Sequence, residues 1–92
     1  TVTKISDKTF YQCTSLTEVI IPNSITSIGS EAFYNCSSLQ NITVNLASPL
    51  NIEASVFEYI NLDGAALKVP SASVATYQVA DVWKDFGTIT AL

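Results

Sequence analysis

Few side chains in this sequence could do chemistry. It carries eight carboxylates, four lysines and two cysteines, with no histidine and no arginine. Without histidine, neither a Ser-His-Asp nor a Cys-His nucleophile can be assembled, and the commonest metal ligand is missing. A glycosidase needs two carboxylates facing each other across a cleft. The candidate pairs are Asp81 with Asp85, four residues apart, and Glu53 with Glu58, which flank Phe57. Nothing around either pair predicts a pocket, so both read as solvated surface. Cys13 and Cys36 allow a disulfide if the protein is extracellular. They fall 23 residues apart at one position of a repeat, which sets their side chains parallel at about the strand spacing of 4.8 Å. A disulfide prefers Cβ atoms about 3.8 Å apart and its own torsion. The favoured reading is two buried, reduced thiols acting as small hydrophobes. Two cysteines alone make no zinc site, and no glycine-rich phosphate loop occurs. No catalytic, cofactor-binding or metal-ligating residue is assigned, and no cofactor is expected.

The totals narrow the class. Ninety-two residues make one domain. Apolar residues make up 48% and charged residues 13%, the reverse of a disordered composition. No apolar run approaches the roughly 20 residues of a membrane span. The formal charge is -4, and Lys4, Lys8, Lys68 and Lys84 are scattered. Nucleic-acid binding needs clustered cations to displace counterions, so no nucleic-acid partner is expected. The same charge disfavours anionic membrane surfaces. The sequence has no Met and no basic segment leading into an apolar one, so it reads as a mature piece of something longer.

What must position any functional residue is a repeat with a period of 23. Ile5 recurs as Ile28, Phe10 as Phe33, Tyr11 as Tyr34, Cys13 as Cys36 and Leu16 as Leu39. Val19 maps to Ile42 and Ile21 to Val44. A looser third copy follows: Ile52, Phe57 and Ile60 come one residue late, and Leu67 and Val69 two late, with the extra residue placed near Leu62-Asp63-Gly64. Within each unit, alternation predicts a half-buried strand, near 16–21, 39–44 and 66–69. The segment from Gly29 to Cys36 reads as a short helical turn capped by Ser30, with Asp7 in that role one repeat earlier. One such unit cannot bury its apolar side alone, whereas stacked units can. The predicted core rows are Ile5/Ile28/Ile52, Phe10/Phe33/Phe57, Cys13/Cys36/Ile60, Val19/Ile42/Leu67 and Ile21/Val44/Val69.

These units, Leu16-x-x-Val19-x-Ile21-Pro22-Asn23-Ser24-Ile25-Thr26-Ser27-Ile28-Gly29 and Ile28-Gly29-x-x-Ala32-Phe33-x-x-Cys36-x-Ser38-Leu39, resemble the BspA-like (bacterial surface antigen A-like) leucine-rich repeats. The stretch Leu67-Lys68-Val69-Pro70, then Tyr77, then Ala80-Asp81-x-Trp83-Lys84-Asp85-Phe86, resembles the C-terminal cap of such proteins from Bacteroides-type bacteria. The resemblance implies an α/β repeat fold, a right-handed leucine-rich-repeat solenoid with a short parallel sheet and a helical, aromatic C-terminal cap. It also implies a secreted or surface-anchored bacterial protein, non-enzymatic, of a family in which several relatives are adhesins for host matrix or bacterial proteins. In a bacterial protein, the N-glycosylation patterns Asn35-Cys36-Ser37 and Asn41-Ile42-Thr43 are read as coincidence.

The expected division is repeats over 1–70 and a cap over 71–92. In the cap, Val74, Tyr77 and Gln78 fit a short helix with Ser73 as its N-cap. Trp83 and Phe86 would cover the end of the stack, and Thr88-Ile89-Thr90 would add a last strand. At the other end Val2 matches Ile25 and Thr3 matches Thr26, in mid-repeat. That end should bare strand backbone and apolar side chains, which invites self-association. The strand residues pointing away from the core are Glu18, Ile20 and Pro22, then Asn41, Thr43 and Asn45, then Ala66, Lys68 and Pro70. Glu18, Ile20, Asn41, Thr43 and Lys68 are the candidate partner-binding residues, with Ile20 the first choice. Three roles stay open: a protein-interaction module, a structural spacer that terminates a repeat array, and a glycan-binding accessory domain. Glycan binding would call for exposed aromatics near the outward strand face, and that face has none.

Overall fold

The computed structural model describes residues 3–92. The main sheet holds four parallel strands in the order β2 (Glu18–Ile21), β4 (Asn41–Val44), β5 (Ala66–Val69) and β6 (Thr88–Ala91). A second, two-stranded parallel sheet pairs β1 (Lys4–Ile5) with β3 (Ser27–Ile28). Parallel neighbours require a crossover between each pair of strands; the repeats supply those from β2 to β4 and from β4 to β5, and the segment carrying helix α1 (Val74–Val79) supplies the one from β5 to β6.

The register follows the predicted alignment. Val19 lies beside Ile42, Ile42 beside Leu67 and Leu67 beside Ile89. The slippage of the third copy appears in the hydrogen bonds between turn segments. The Phe10 N–H donates to the Ala32 carbonyl, whereas the Phe33 N–H donates to that of Val56, one residue further along. The first extra residue falls between Val44 and Ile52, in the loop after β4, and the second falls by the short 3-10 turn Leu62–Gly64.

The first two strands are shorter than predicted. Leu16 and Leu39 fall outside them and close turns instead, their N–H groups donating to the Cys13 and Cys36 carbonyls. The predicted helical turn from Gly29 to Cys36 is instead a ribbon of consecutive turns. Alternate N–H groups bond locally, as Tyr34 to Glu31 and Cys36 to Phe33, while Phe33 and Asn35 donate across to the third copy. A helix would spend all these donors within its own segment. The ribbon keeps half of them for the neighbour, and left-handed residues at equivalent places make this possible: Lys8 (φ 59) and Glu31 (φ 57), then Gln12 (φ 58), Asn35 (φ 56) and Tyr59 (φ 64). The capping prediction changes accordingly. Asp7 Oδ1 accepts from the Ser30 N–H of the next unit, at 2.9 Å, rather than capping its own turn. Gly29 permits this approach, since a Cβ there would collide with the Asp7 backbone.

The core is one cluster. Phe33, Cys36, Val44, Val56, Leu67 and Val69 are fully buried, with Ile21 and Ile42 beside them. Phe10, Phe33 and Phe57 form a column with ring centroids 5.2 and 5.6 Å apart. Beyond Phe57, Trp83 and Phe86 meet that ring edge-on at 5.6 and 5.4 Å. Tyr77, on helix α1 (Val74–Val79), packs on Trp83. Ser73 holds the predicted N-cap position but makes no side-chain capping bond: its hydroxyl donates to the Ala47 carbonyl at 2.7 Å, tying the start of the helix to the loop after β4. Tyr77 Oη and Trp83 Nε1 donate to the Leu46 and Leu50 carbonyls. The three bonds give partners to carbonyls of a loop that has no strand neighbour, while the two aromatic bodies fill the end of the core.

Candidate interaction surface

Alternation sends every second strand residue outward, and the parallel register lines these residues into rows. One row runs Glu18, Asn41, Ala66, Thr88; the next runs Ile20, Thr43, Lys68, Thr90. All five candidate residues therefore fall on one patch. Glu18 is directly beside Asn41, and Thr43 lies between Ile20 and Lys68. Glu18, Asn41 and Lys68 are exposed, Thr43 is half-buried, and Ile20 is 66% exposed. Pro22 and Asn45 are exposed just past their strands, while Ala66 and Pro70 are partly covered. Sequence reasoning ended the patch at β5. Thr88 and Thr90 extend it over a fourth strand, and the alternation around Ile89 was the signal for them.

A second surface feature lies on the turn ribbons. Tyr11 and Tyr34 stack at 4.8 Å with their planes 7° apart, and Tyr59 meets Tyr34 edge-on at 5.3 Å. Lys8 reaches the Tyr11 ring at 5.3 Å and the Glu31 carboxylate at 3.9 Å. Burial, reinforced by Tyr59, Tyr11 and Glu58, raises the Tyr34 hydroxyl above the usual phenol range. Recurrence pointed to Tyr11 and Tyr34, but Tyr59 slips by two residues where Phe57 slips by one. Tyr34 has a ring on each side, so the column does not present the run of open faces on which sugar rings would stack.

The remaining chemistry is sparse. Cys13 and Cys36 are free thiols, and only Cys36 is fully buried. Cys13 was expected to be equally buried, but it lies in the first unit and is covered on one side. Cys36 Sγ donates to the Phe10 carbonyl at 3.0 Å, and burial pushes its thiol up against the opposing effect of the Cys13 N–H. Asp81 is 92% exposed and pairs with Lys84 at 3.6 Å. Asp85, Glu53 and Glu58 are exposed too, so neither carboxylate pair is enclosed. Among the described residues no three His, Cys, Asp or Glu side chains group to hold a metal ion. No helix there is long and apolar enough to cross a membrane.

At the β2 end the apolar cross-section is open. A concavity of about 560 Å³ is lined by Ile5, Phe10, Leu16, Val19, Ile20 and Ile25, among others. Val2, which the repeat matches to Ile25, lies outside the described residues. A shallower groove of about 330 Å³ runs beside Lys4 and Asp7.

Comparison with curated proteins finds no match. Leucine-rich repeats generally mediate protein–protein interaction and are generally non-catalytic, and the BspA type is typically surface-associated in bacteria. The family model described as "BspA type Leucine rich repeat region (6 copies)" matches residues 1–79, which spans every repeated unit described above. The stacked strand-and-turn units and this match agree: the chain belongs to the BspA-type leucine-rich-repeat family.

Proposed function

We infer that this chain is a non-enzymatic protein-interaction module of a secreted or cell-surface bacterial protein, and that it contacts a host matrix or bacterial surface protein through the outward strand face. In this reading the repeats over 1–70 wind as a right-handed solenoid and residues 71–92 cap it. Glu18, Ile20, Asn41, Thr43 and Lys68 carry the contact. The observation behind it is Ile20, a large apolar side chain 66% exposed, beside Thr43 on the outward face and at the rim of the apolar concavity. An exposed apolar anchor inside a polar rim is how a small interface concentrates its energy. A second reading, a structural terminator of a repeat array, draws support from the Tyr77, Trp83 and Phe86 closure, which uses its polar atoms on this chain's own loop. The test is a surface-binding assay against extracellular matrix proteins with melting curves for each variant. Ile20→Ala and Lys68→Ala should weaken binding while changing stability by less than about 0.5 kcal/mol. Unchanged binding across substitutions at all five residues would favour the terminator.

A further inference from the structure

We propose that the turn ribbon of the third unit binds an arginine side chain of a partner protein, its guanidinium lying on the Tyr59 ring and paired with the Glu58 carboxylate. The chain already holds one cation in this way. Lys8 reaches the Tyr11 ring at 5.3 Å and the Glu31 carboxylate at 3.9 Å, so one ammonium uses an aromatic face and an acid together. The third unit repeats the ring and the acid without the cation. Ser55 stands at the repeat position of Lys8 and Glu31, one residue late like Phe57. Tyr59 is 67% exposed, and Glu58 is exposed next to it in the chain. Among the described residues no lysine lies over Tyr59 and none pairs with Glu58. This surface uses none of the outward strand residues and does not rest on their role.

Three observations favour a cationic side chain as the occupant. The first is the setting of the ring. Tyr11 and Tyr34 stack with their planes 7° apart, whereas Tyr59 stands at 83° to Tyr34. A third stacked ring would press one face on Tyr34. The slip of two residues turns Tyr59 out of the stack and leaves it more exposed than Tyr11. The second is order. The Tyr34 and Tyr59 hydroxyls are hydrogen-bonded, and the Asn35 N–H donates to the Glu58 carbonyl at 2.8 Å. The platform is therefore fixed before a partner arrives, and docking orders little that is not already ordered. The third is charge. From Thr9 to Leu67 the sequence carries Glu18, Glu31, Glu53, Glu58 and Asp63 and no cation. The Glu58 carboxylate helps to raise the Tyr34 hydroxyl, which puts its charge within reach of this ring pair. Arginine fits better than lysine. A planar guanidinium stacks on a ring while its N–H groups reach a carboxylate at the rim, whereas an ammonium is a strongly hydrated point charge. One open ring accepts one such plane.

The proposal is tested by NMR titration of the 92-residue chain with an alternating arginine–glycine octapeptide, with circular dichroism confirming that each variant is folded. A saturable shift of the Tyr59 ring protons and the Glu58 amide is expected. The same peptide with citrulline, a neutral isostere of arginine, should give none, and a lysine–glycine peptide should bind more weakly. Tyr59→Leu keeps an apolar side chain but removes the π face, and should weaken binding by about two- to fivefold, read from the Glu58 amide. Tyr59→Phe keeps the face and should bind as the unmodified chain does. Glu58→Gln should weaken binding by a similar two- to fivefold or so. Glu18→Gln removes the same charge from the outward strand face and should leave binding unchanged, so failure here is distinguishable from failure of the outward-face reading. The absence of a saturable shift overturns the proposal, as does a Tyr59→Leu variant that binds undiminished. A citrulline or lysine peptide that binds as well as the arginine peptide also overturns it. So does a Glu18→Gln variant as impaired as Glu58→Gln, which would reduce the effect to net charge.

Discussion

Phe10 and Phe33 hold the same place in consecutive units, stack on one another, and differ in burial. Phe33 is fully buried, and Phe10 is only partly so. The same contrast separates Cys13 from Cys36, Leu16 from Leu39 and Val19 from Ile42. At the far end Phe57 resembles Phe33, not Phe10, because Trp83 and Phe86 stand where another unit would. The two ends show that a repeat's apolar pattern selects which side chains face inward, while burial depends on having a neighbour on both sides. The stack solves this at the C-terminal end with large side chains whose polar atoms bond the preceding loop. At the β2 end it presents a surface.

The largest expected effect tests that contrast directly. Phe33→Ala removes a ring packed on both faces and should cost about 3–5 kcal/mol. Phe10→Ala at the open end should cost less, about 1–2 kcal/mol, since part of its transfer free energy was never gained. Chemical denaturation of the two variants gives both numbers. Equal losses would break the comparison and mean that the β2 end is covered in solution.

The closed end offers a smaller, pH-dependent effect. Tyr77 is fully buried, its hydroxyl donates to the Leu46 carbonyl at 2.8 Å, and burial pushes its pKa up to about 12. The folded protein therefore holds this proton more tightly than the unfolded chain, whose tyrosines titrate near 10. Stability from this group is complete below pH about 10 and falls as pH rises toward 12. Tyr34 and Cys36, also raised, act in the same direction. Tyr77→Phe leaves the Leu46 carbonyl without this donor and should cost about 1–2 kcal/mol at neutral pH. It should also flatten the alkaline loss. A variant with an unchanged alkaline limb would assign that limb to Tyr34 and Cys36.

Much of this was legible in the sequence because the 23-residue recurrence determines spacing and type together. Ile42 had to lie beside Val19, and the slips at Phe57 and Leu67 could be counted. The turn ribbon was not legible. Helical and ribbon readings of Gly29 to Cys36 place Phe33 and Cys36 inward alike, and the choice rests on whether the alternate N–H groups bond within the unit or across to the next one. No single residue type encodes that. The left-handed residues are Lys, Glu, Gln, Asn, Tyr and Val, with no glycine among them to mark the places. The outward patch was legible through β5 from alternation alone. Its extension to Thr88 and Thr90 required knowing that β6 joins the same sheet.

The last prediction sharpens what closing an end requires. Val82 leads into the 3-10 turn Trp83–Asp85 with φ 72 and ψ -53, in the γ-turn region that is strained for any residue with a Cβ, most of all a β-branched one. The neighbours hold it there. The Lys84 N–H donates back to the Ala80 carbonyl and the Asp85 N–H to that of Val82, while Trp83 is locked by its bond to Leu50. The chain must reverse at this point to lay Trp83 over Phe57, and the strain accompanies that placement. A residue at such a dihedral costs about 1–3 kcal/mol, and glycine removes most of it while adding about 0.5–1 kcal/mol of unfolded-state entropy. Val82 is half-buried and packs against the core cluster, so glycine also gives up part of that contact. Strain relief and these two losses are of similar size, so Val82→Gly should cost far less than a Val→Gly change at an unstrained, half-buried site and shift stability by no more than about 1 kcal/mol, read from the midpoint in denaturant at an unchanged slope. Val82→Ala keeps a Cβ in the strained region and should gain less relief. If both variants destabilise by more than this, the Val82 side chain is itself part of the closure, packing against the aromatic cluster more strongly than its backbone resists.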